Sequence, residues 1–416
     1  MTPADRSLAE RPWLRLLALS ALYFAQGVPW GFMAITLPAY LADRGLDTTV
    51  VATTMAMTTI PYTFKWVWGP VIDSFTIPAL GRRRPWILLA QLMMALTVIA
   101  MIAIPDITSA VTALAWMILI HNVFNALQDV SVDALAVELL SDEERGRANG
   151  FMYGSKYLGG FIGGAGMATV IEWSGLRAAL IMQTAILLAI MLVPLLLRER
   201  PPGTPVERPS PRRVAAGLLA AFRIRSALLG ALLAASVMIS SGIMQAVAAV
   251  LFTQDLGWDA GAYSRVVGGF GLWIGFGGSI LGGFLADPIG KRRLAAIASI
   301  LMGLAWVVFA FSEPLWTNRT FVYALFMIEP LCQSMLSVSL FALFMGLSSK
   351  EVAGSQFAAY MALLNLGTTI GLRMAGWLDS ALDYSGVYLA AGAIQIAVTA
   401  TILFIDPDET RRKLGA

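Results

Sequence analysis

The 416-residue chain holds one cysteine, Cys332, and one histidine, His121. A lone cysteine excludes a disulfide framework and a CxxC metal site, and a lone histidine excludes a multi-histidine centre. Charged side chains make up 13% of the chain, against roughly 25% in an average soluble domain, so a soluble globular protein is excluded. No nucleophile–base pair, metal-ligand spacing or nucleotide motif is found along it. The glycine-rich stretches follow no strand and are not phosphate loops. An enzyme is therefore not expected, and neither is a cofactor or a metal. The net charge of +3 requires no nucleic-acid partner.

What the chain has in abundance is hydrophobic surface: 58% of its residues, in runs of roughly 20 or more that recur over its length. This is the pattern of an all-α polytopic membrane protein whose surroundings are the lipid bilayer. The first run extends from Trp13 to about Leu41, too long for a signal-peptide core, and is read as a retained span. Twelve spans are expected near 14–41, 50–73, 86–104, 111–138, 147–171, 178–197, 226–253, 262–286, 294–312, 320–347, 353–378 and 385–405. A proline- and arginine-rich segment, 199–225, reads as a solvated linker between a half at 1–198 and a half at 226–416. With both termini in the cytoplasm, that side receives Arg6, Arg11, Arg15, Arg82, Arg83, Arg84, Arg145, Arg147, the linker arginines, Lys291, Arg292, Arg293, Lys350, Arg411, Arg412 and Lys413. The other side keeps Arg44, Arg177, Arg265 and Arg319, a strong positive-inside asymmetry.

An internal repeat supports the two halves. "GPVIDSFTIPALGRRRP" follows the second span and "GGFLADPIGKRR" follows the eighth, with Asp73 and Asp287 about 210 residues apart. "LLSDEERGRANG" after span four and "GLSSKEVAGSQF" after span ten share a similar offset. A duplicated six-helix unit with a long cytoplasmic connection is the architecture of major facilitator transporters. In these loops Gly69 and Gly283 allow close helix approach. Asp73 and Asp287 are expected to pair with arginines or to sit by a helix N-terminus, where negative charge is favoured. Together with Arg82, Arg83, Arg84, Glu138, Arg145, Lys291 and Arg292 they form a candidate cytoplasmic latch. The plainer alternative is that the basic residues only anchor topology.

Charges inside spans cost at least ~2.5–3.5 kcal/mol at a helix centre, so each is a candidate functional residue. They are Lys65, Asp129, Asp133, Lys156, Glu329 and Arg373. At 1.5 Å rise per residue, Lys65, Asp129 and Lys156 lie roughly 5–6 Å to the cytoplasmic side of their midpoints, on three different spans. Asp129 and Asp133 share one helical face, whereas Glu138 points nearly the opposite way. A cluster of two acids and two lysines follows, with Asp129 as the expected proton-responsive carboxylate. Static pairing between helices is the competing reading. Glu329 and Arg373, both on the periplasmic side, are a candidate gate or solute contact. Weaker candidates for the cavity lining are Gln26, Trp30, Tyr62, Asn125, Gln128, Gln245, Gln356 and Asn365. In "YFAQGVPWGF", Gly27 and Pro29 predict a kink in the first span. The glycines of "YLGGFIGGAG" and "GGFGLWIGFGGSILGGF" read as close helix packing, and His121 as structural.

The stretches "YTFKWVWGPVIDSFTIPALGRRRPW", "QDVSVDALAVELLSDEERG" and "IEPLCQSMLSVSLFALFMGLSSKEVAGSQFA" resemble the AmpG-type muropeptide permeases. That branch of the major facilitator superfamily also holds acetyl-CoA transporters and some siderophore permeases. The resemblance covers both halves and implies proton-driven import of N-acetylglucosaminyl-1,6-anhydro-N-acetylmuramyl peptide across the bacterial inner membrane, by a protein working as a monomer. Residue by residue it extends to Lys65, Asp73, Gln128, Asp129, Asp133, Glu329 and Gln356. The chain departs from it at Ala136, where the family has lysine, and at Tyr157, where the family has arginine and this chain has Lys156 alongside. With twelve expected spans, it is also expected to lack the family's additional C-terminal helices. Siderophore permeases of the pyochelin type are the alternative of the same branch. A membrane sensor or scaffold is the alternative of another class, and it would exchange no solute.

Overall fold

In the computed structural model the described residues are 7–44, 48–77, 80–104, 106–107, 109–201, 210–258, 265–349, 352–406 and 408–414. Arg6, Lys350 and the proline-rich part of the linker, 202–209, lie outside them. Beyond helices, the described residues form only isolated bridges, Ser7 with Arg198 and Ile77 with Gly81. A bilayer core offers backbone groups no water, and a helix satisfies them within one segment.

Nine helical stretches among the described residues are long and apolar enough to cross a membrane. One of them, Arg145–Leu196, holds spans five and six, separated at Gly175, whose φ of 81° and ψ of 167° interrupt the helix. Residues 48–74 and Ala353–Ala381 supply spans two and eleven, completing twelve. Span three, Arg84–Ile102, explains the two-faced pattern. Leu89, Leu92, Leu96 and Ile99 recur at three- or four-residue intervals and are exposed, while Gln91, Met94, Ala95 and Val98 on the opposite face are buried. An apolar stripe of that size facing water would be a liability, whereas in lipid it is matched to its surroundings.

Three local features depart from the sequence reading. Span two is not one helix: Thr48–Thr63 gives way to a 3₁₀ turn, Lys65–Val67, and then to Trp68–Ser74. The Pro61 carbonyl accepts from the Phe64 N–H, and that of Phe64 from Val67, so the ladder tightens just where Lys65 emerges. In span one the helix Pro12–Gly31 passes through Pro29, and its departure from α geometry comes later, as a π-helical turn over Phe32–Thr36. Finally, the linker holds a helix, Pro211–Phe222. Val214 and Ala221 are buried on one side of it, while Arg212, Arg213 and Leu219 are exposed.

The chain forms two compact units. The first comprises Met1–Leu140, Ser155–Leu218 and Lys350–Ala358, and the second Ser141–Gly154, Leu219–Ser349 and Ala359–Ala416. Each unit thus holds one short segment from the other sequence repeat. Within the first, spans one and five meet through glycine. A Cβ at Gly31 would run into the Gly160 carbonyl, and one at Gly163 into the Val28 carbonyl. Span five has its own π-helical turn there, Ile162–Gly166, and Thr36 Oγ1 donates to the freed carbonyls of Gly163 (3.0 Å) and Gly164 (2.7 Å). The second unit repeats the contact. A Cβ at Gly371 would strike the Ile239 carbonyl, and one at Gly242 the Thr368 carbonyl. Close packing was expected of the span-five glycines, while Gly242 and Gly371 were not singled out by the sequence reading.

Span seven begins at Arg225–Val237, with the Ser226 N–H and Oγ donating to Glu409 Oε2 at 2.9 and 2.5 Å. Hydrogen bonds from Lys413 and Ser226 hold the Glu409 carboxyl at about 2, below its ordinary range. A depressed folded value means that Glu409 supports the fold above the unfolded carboxyl range of about 4.3 and ceases to do so as pH falls toward 2. Glu409→Gln should therefore lower the melting temperature in detergent at pH 7, with the deficit shrinking at pH 3. An equal deficit at both values would show that the charge is not the cause.

Candidate functional site

Span four, Val111–Leu139, carries Asn125, Gln128, Asp129, Asp133 and Glu138 on successive turns, and all but Glu138 are buried. Asp129 lies between two ammonium groups. Lys65 Nζ donates to its Oδ2 at 3.0 Å, and Lys156 Nζ stands 3.6 Å from its Oδ1. Lys65 is nearly sealed from solvent, with 8% of its side chain exposed, while Lys156 keeps 28%. The 3₁₀ turn of span two presents Lys65, and span five presents Lys156. The three residues expected at one depth are thus in contact.

Asp133 has a different environment. Its Oδ1 accepts a short hydrogen bond from the Tyr23 hydroxyl of span one. Lys156 Nζ lies over the Tyr23 ring, 5.7 Å from its centroid, so the tyrosine links the second acid to the first cluster. Tyr23 is absent from the residues picked out by sequence. Hydropathy counts tyrosine with the apolar run, although Tyr23 stands one helical turn before Gln26. With all four groups ionised the cluster is neutral, which limits the cost of burying it.

Three amides accompany these charges. Gln128 Nε2 donates to the Leu22 carbonyl at 3.1 Å, but its Oε1 has no hydrogen-bond partner among the described residues, and neither amide atom of Gln26 or Asn125 has one there. Buried amides are costly unless satisfied, so these atoms are the natural contacts for water or a solute. Tyr62 is half-buried and lies within electrostatic reach of Asp129. Trp30, 42% exposed, rests against Gly160.

In the second unit the two candidates for a gate or solute contact have separate surroundings. Glu329 accepts from Trp306 Nε1 at 3.3 Å, and no ion pair joins it to Arg373. Their positions on spans ten and eleven gave similar depth, but depth alone does not bring two helix faces together. Arg373 is exposed beside a groove of about 430 Å³ formed with Thr369, Ile370, Met374 and Trp377. Gln245 and Asn365 are exposed, and Gln356 is buried at the start of span eleven.

The basic loops are assembled in two unequal versions. Arg83 is fully buried, donating to Asp73 Oδ1 at 2.5 Å, to Glu138 Oε1 at 2.6 Å and to the Ile72 carbonyl at 2.9 Å. Arg82 lies 3.5 Å from Asp73 and 3.1 Å from Glu138. Asp73 also accepts from the N–H groups of Gly354 (3.3 Å) and Ser355 (2.7 Å) and from Ser355 Oγ (2.7 Å), at the N-terminus of span eleven. Gly69 makes room, since a Cβ there would come within 2.6 Å of Ser355 Cα. In the second version Asp287 accepts from the N–H groups of Gly146 (3.1 Å) and Arg147 (3.3 Å), at the start of span five, with Arg147 Nε at 3.3 Å. Gly283 packs on Gly150. Arg145 pairs with Asp142 instead of Asp287, Lys291 donates to the Asp142 carbonyl at 2.6 Å, and Arg292 to that of Ile405 at 2.7 Å.

Glu199 completes the first version and escaped the sequence reading. It accepts from three successive N–H groups at the start of span three, those of Arg82 (2.8 Å), Arg83 (2.6 Å) and Arg84. Burial raises its carboxyl pKa, against the lowering by those N–H groups. Arg84 returns to span six, donating to the carbonyls of Pro194 and Leu195.

Comparison with known proteins gives this geometry a context. The Major Facilitator Superfamily model matches residues 19–250 and 231–416. The anhydromuropeptide permease of Escherichia coli K12 is 27% identical over 399 residues, covering 94% of this chain and 79% of that protein. A putative transporter of Rickettsia conorii, AmpG 4, is 23% identical over 401 residues, covering 90% and 92%. Among solved structures, the fucose–proton symporter FucP of Escherichia coli superposes with a TM-score of 0.73 at 14% identity, over 94% of this chain and 98% of FucP.

Proposed function

Because the chain belongs to the Major Facilitator Superfamily, we propose that it is a proton-coupled permease importing cell-wall muropeptide across the bacterial inner membrane. It is a multi-pass membrane transporter and not an enzyme. The named permease of Escherichia coli, similar over nearly the whole chain, supports the choice of solute. The reading is carried by one observation: Asp129 is ion-paired with two lysines, whereas the hydrogen bond to Asp133 comes from the Tyr23 hydroxyl.

Of the two acids in the expected coupling cluster, Asp129 was the favoured carboxylate; that difference supports Asp133 for the coupling role instead. A carboxylate between two ammonium groups holds its negative charge firmly, whereas one buried with a neutral donor takes up a proton readily. Proton uptake by Asp133 leaves the four-group cluster with one excess positive charge. Release of the proton to the cytoplasm restores neutrality. Alternating access exposes the cluster to each side in turn, with both termini in the cytoplasm. Gln26, Asn125 and Gln128 supply amide contacts for the solute.

Uptake of labelled anhydromuropeptide into proteoliposomes, with and without an imposed pH gradient, tests this reading. Accumulation is expected only when the outside is acid. Equal uptake without a gradient would remove the proton, and uptake of pyochelin in place of muropeptide would change the solute.

A further inference from the structure

The two lysines around Asp129 hold it unequally. Lys65 donates at 3.0 Å from its 3₁₀ turn and is nearly sealed from solvent. Lys156 Nζ stands at 3.6 Å, beyond ordinary hydrogen-bonding length, and 28% of its side chain is exposed. The backbone of span five is fixed at that residue, since a Cβ at Gly27 would run into the Lys156 carbonyl. Gly27 follows Tyr23 by one helical turn, so the lysine stem starts beside the tyrosine that bonds Asp133, and its ammonium lies over that ring. Asp133 follows Asp129 by one turn of span four, about 6 Å along the axis, and lies within electrostatic reach of Lys156. A flexible four-carbon stem carrying a point charge covers such a distance by rotamer changes. We propose that Lys156 is a positioning residue that passes between the two acids. It rests on Asp129 while Asp133 carries a proton, and it pairs with Asp133 once the proton has left.

Charge balance sets the direction of the exchange. An ionised Asp133 beside a doubly paired Asp129 is a buried anion without its own cation, and moving one lysine gives each acid a partner. Protonation of Asp133 removes that pull, and Lys156 returns to the remaining carboxylate. Lys65 is unsuited to the move, because leaving its hydrogen bond strands a charge that has almost no water to meet it. Among the described residues, the titratable groups facing Asp133 are Tyr23 on span one, Lys65 on span two, Asp129 on its own span and Lys156 on span five. Span three carries none beyond Arg84 at its start. Pairing with Lys156 keeps Asp133 ionised after release, so the proton is not recaptured before the halves rock back. The proposal rests on the coupling role of Asp133 given above and adds the residue that makes its proton release effective.

Solid-state NMR of the full-length protein in lipid, with carbon labels in aspartate and nitrogen labels in lysine and arginine side chains, reads the contact directly. At about pH 9 the Asp133 carboxyl carbon should have a lysine nitrogen within about 4 Å, a contact missing at about pH 5 and assigned to Asp133 by its loss in D133N. In K156R the nitrogen in contact should change from ammonium to guanidinium, which separates Lys156 from Lys65. No such contact at the higher pH, or an ammonium contact kept in K156R, would overturn the exchange. In proteoliposomes K156Q should lower gradient-driven accumulation of anhydromuropeptide roughly tenfold, the equivalent of one pH unit in proton affinity, and K156R should restore most of it. Accumulation by K156Q equal to the parent's would also overturn it. Parent uptake indifferent to a pH gradient refutes the coupling reading, and the NMR contact then decides on Lys156 by itself.

Discussion

Arg83→Ala should destabilise the protein by about 3–5 kcal/mol, the cost of removing one partner from a buried ionic network. The parent side chain is fully buried and neutralises Asp73 and Glu138, themselves almost without solvent. Arg82 remains within 3.5 Å of both acids but is already engaged and is more exposed, so it offsets only part of the loss. The consequence reaches beyond stability. Asp73 is also the cap of span eleven through Gly354 and Ser355, and without Arg83 its carboxylate is left to those donors. Thermal melting in detergent checks the first effect. A melting temperature unchanged by the substitution would mean that the network is incidental to the fold.

The second large effect belongs to Asp129→Asn. It strands Lys65, whose side chain is 8% exposed, while Lys156 has water within reach. A loss of about 3 kcal/mol is expected, near the lower end for an unpaired buried charge. The cause can be isolated by removing the stranded charge: Lys65→Met in the Asp129→Asn background should recover most of the stability without recovering transport. A double variant no more stable than the single one would show that the Lys65–Asp129 pair is not the source.

The sequence made the charged framework legible to different degrees. The rise per residue put Lys65, Asp129 and Lys156 at one depth, and they are in contact, because three spans of one bundle leave few other places for groups at the same level. The duplicated motifs identified Asp73 and Asp287, and both cap helix N-termini as negative charge at a helix start should. The two versions nevertheless differ: Asp73 is sealed with two arginines, whereas Asp287 is ion-paired with an exposed Arg147. Motif similarity carries no information on burial.

What escaped has a common cause. Glu199 binds backbone N–H groups more than a hundred residues away, and backbone donors leave no trace in side-chain patterns. Tyr23 was hidden by its hydropathy. The 3₁₀ turn that presents Lys65 depends on a switch in hydrogen bonding after Pro61, and proline marks such a site without saying which residue it will display. Glu329 and Arg373 had comparable depths but separate surroundings, since azimuth around the bundle is fixed by packing that a single helix does not encode.

Proton coupling through Asp133 is the claim on which the functional account turns, and Asp133→Asn isolates it. The amide keeps the shape of the side chain and still accepts from Tyr23, so the variant should fold and bind solute. In proteoliposomes it should exchange labelled anhydromuropeptide by counterflow at the parent rate, yet fail to accumulate it when a pH gradient is imposed. Full gradient-driven accumulation by Asp133→Asn would contradict the account.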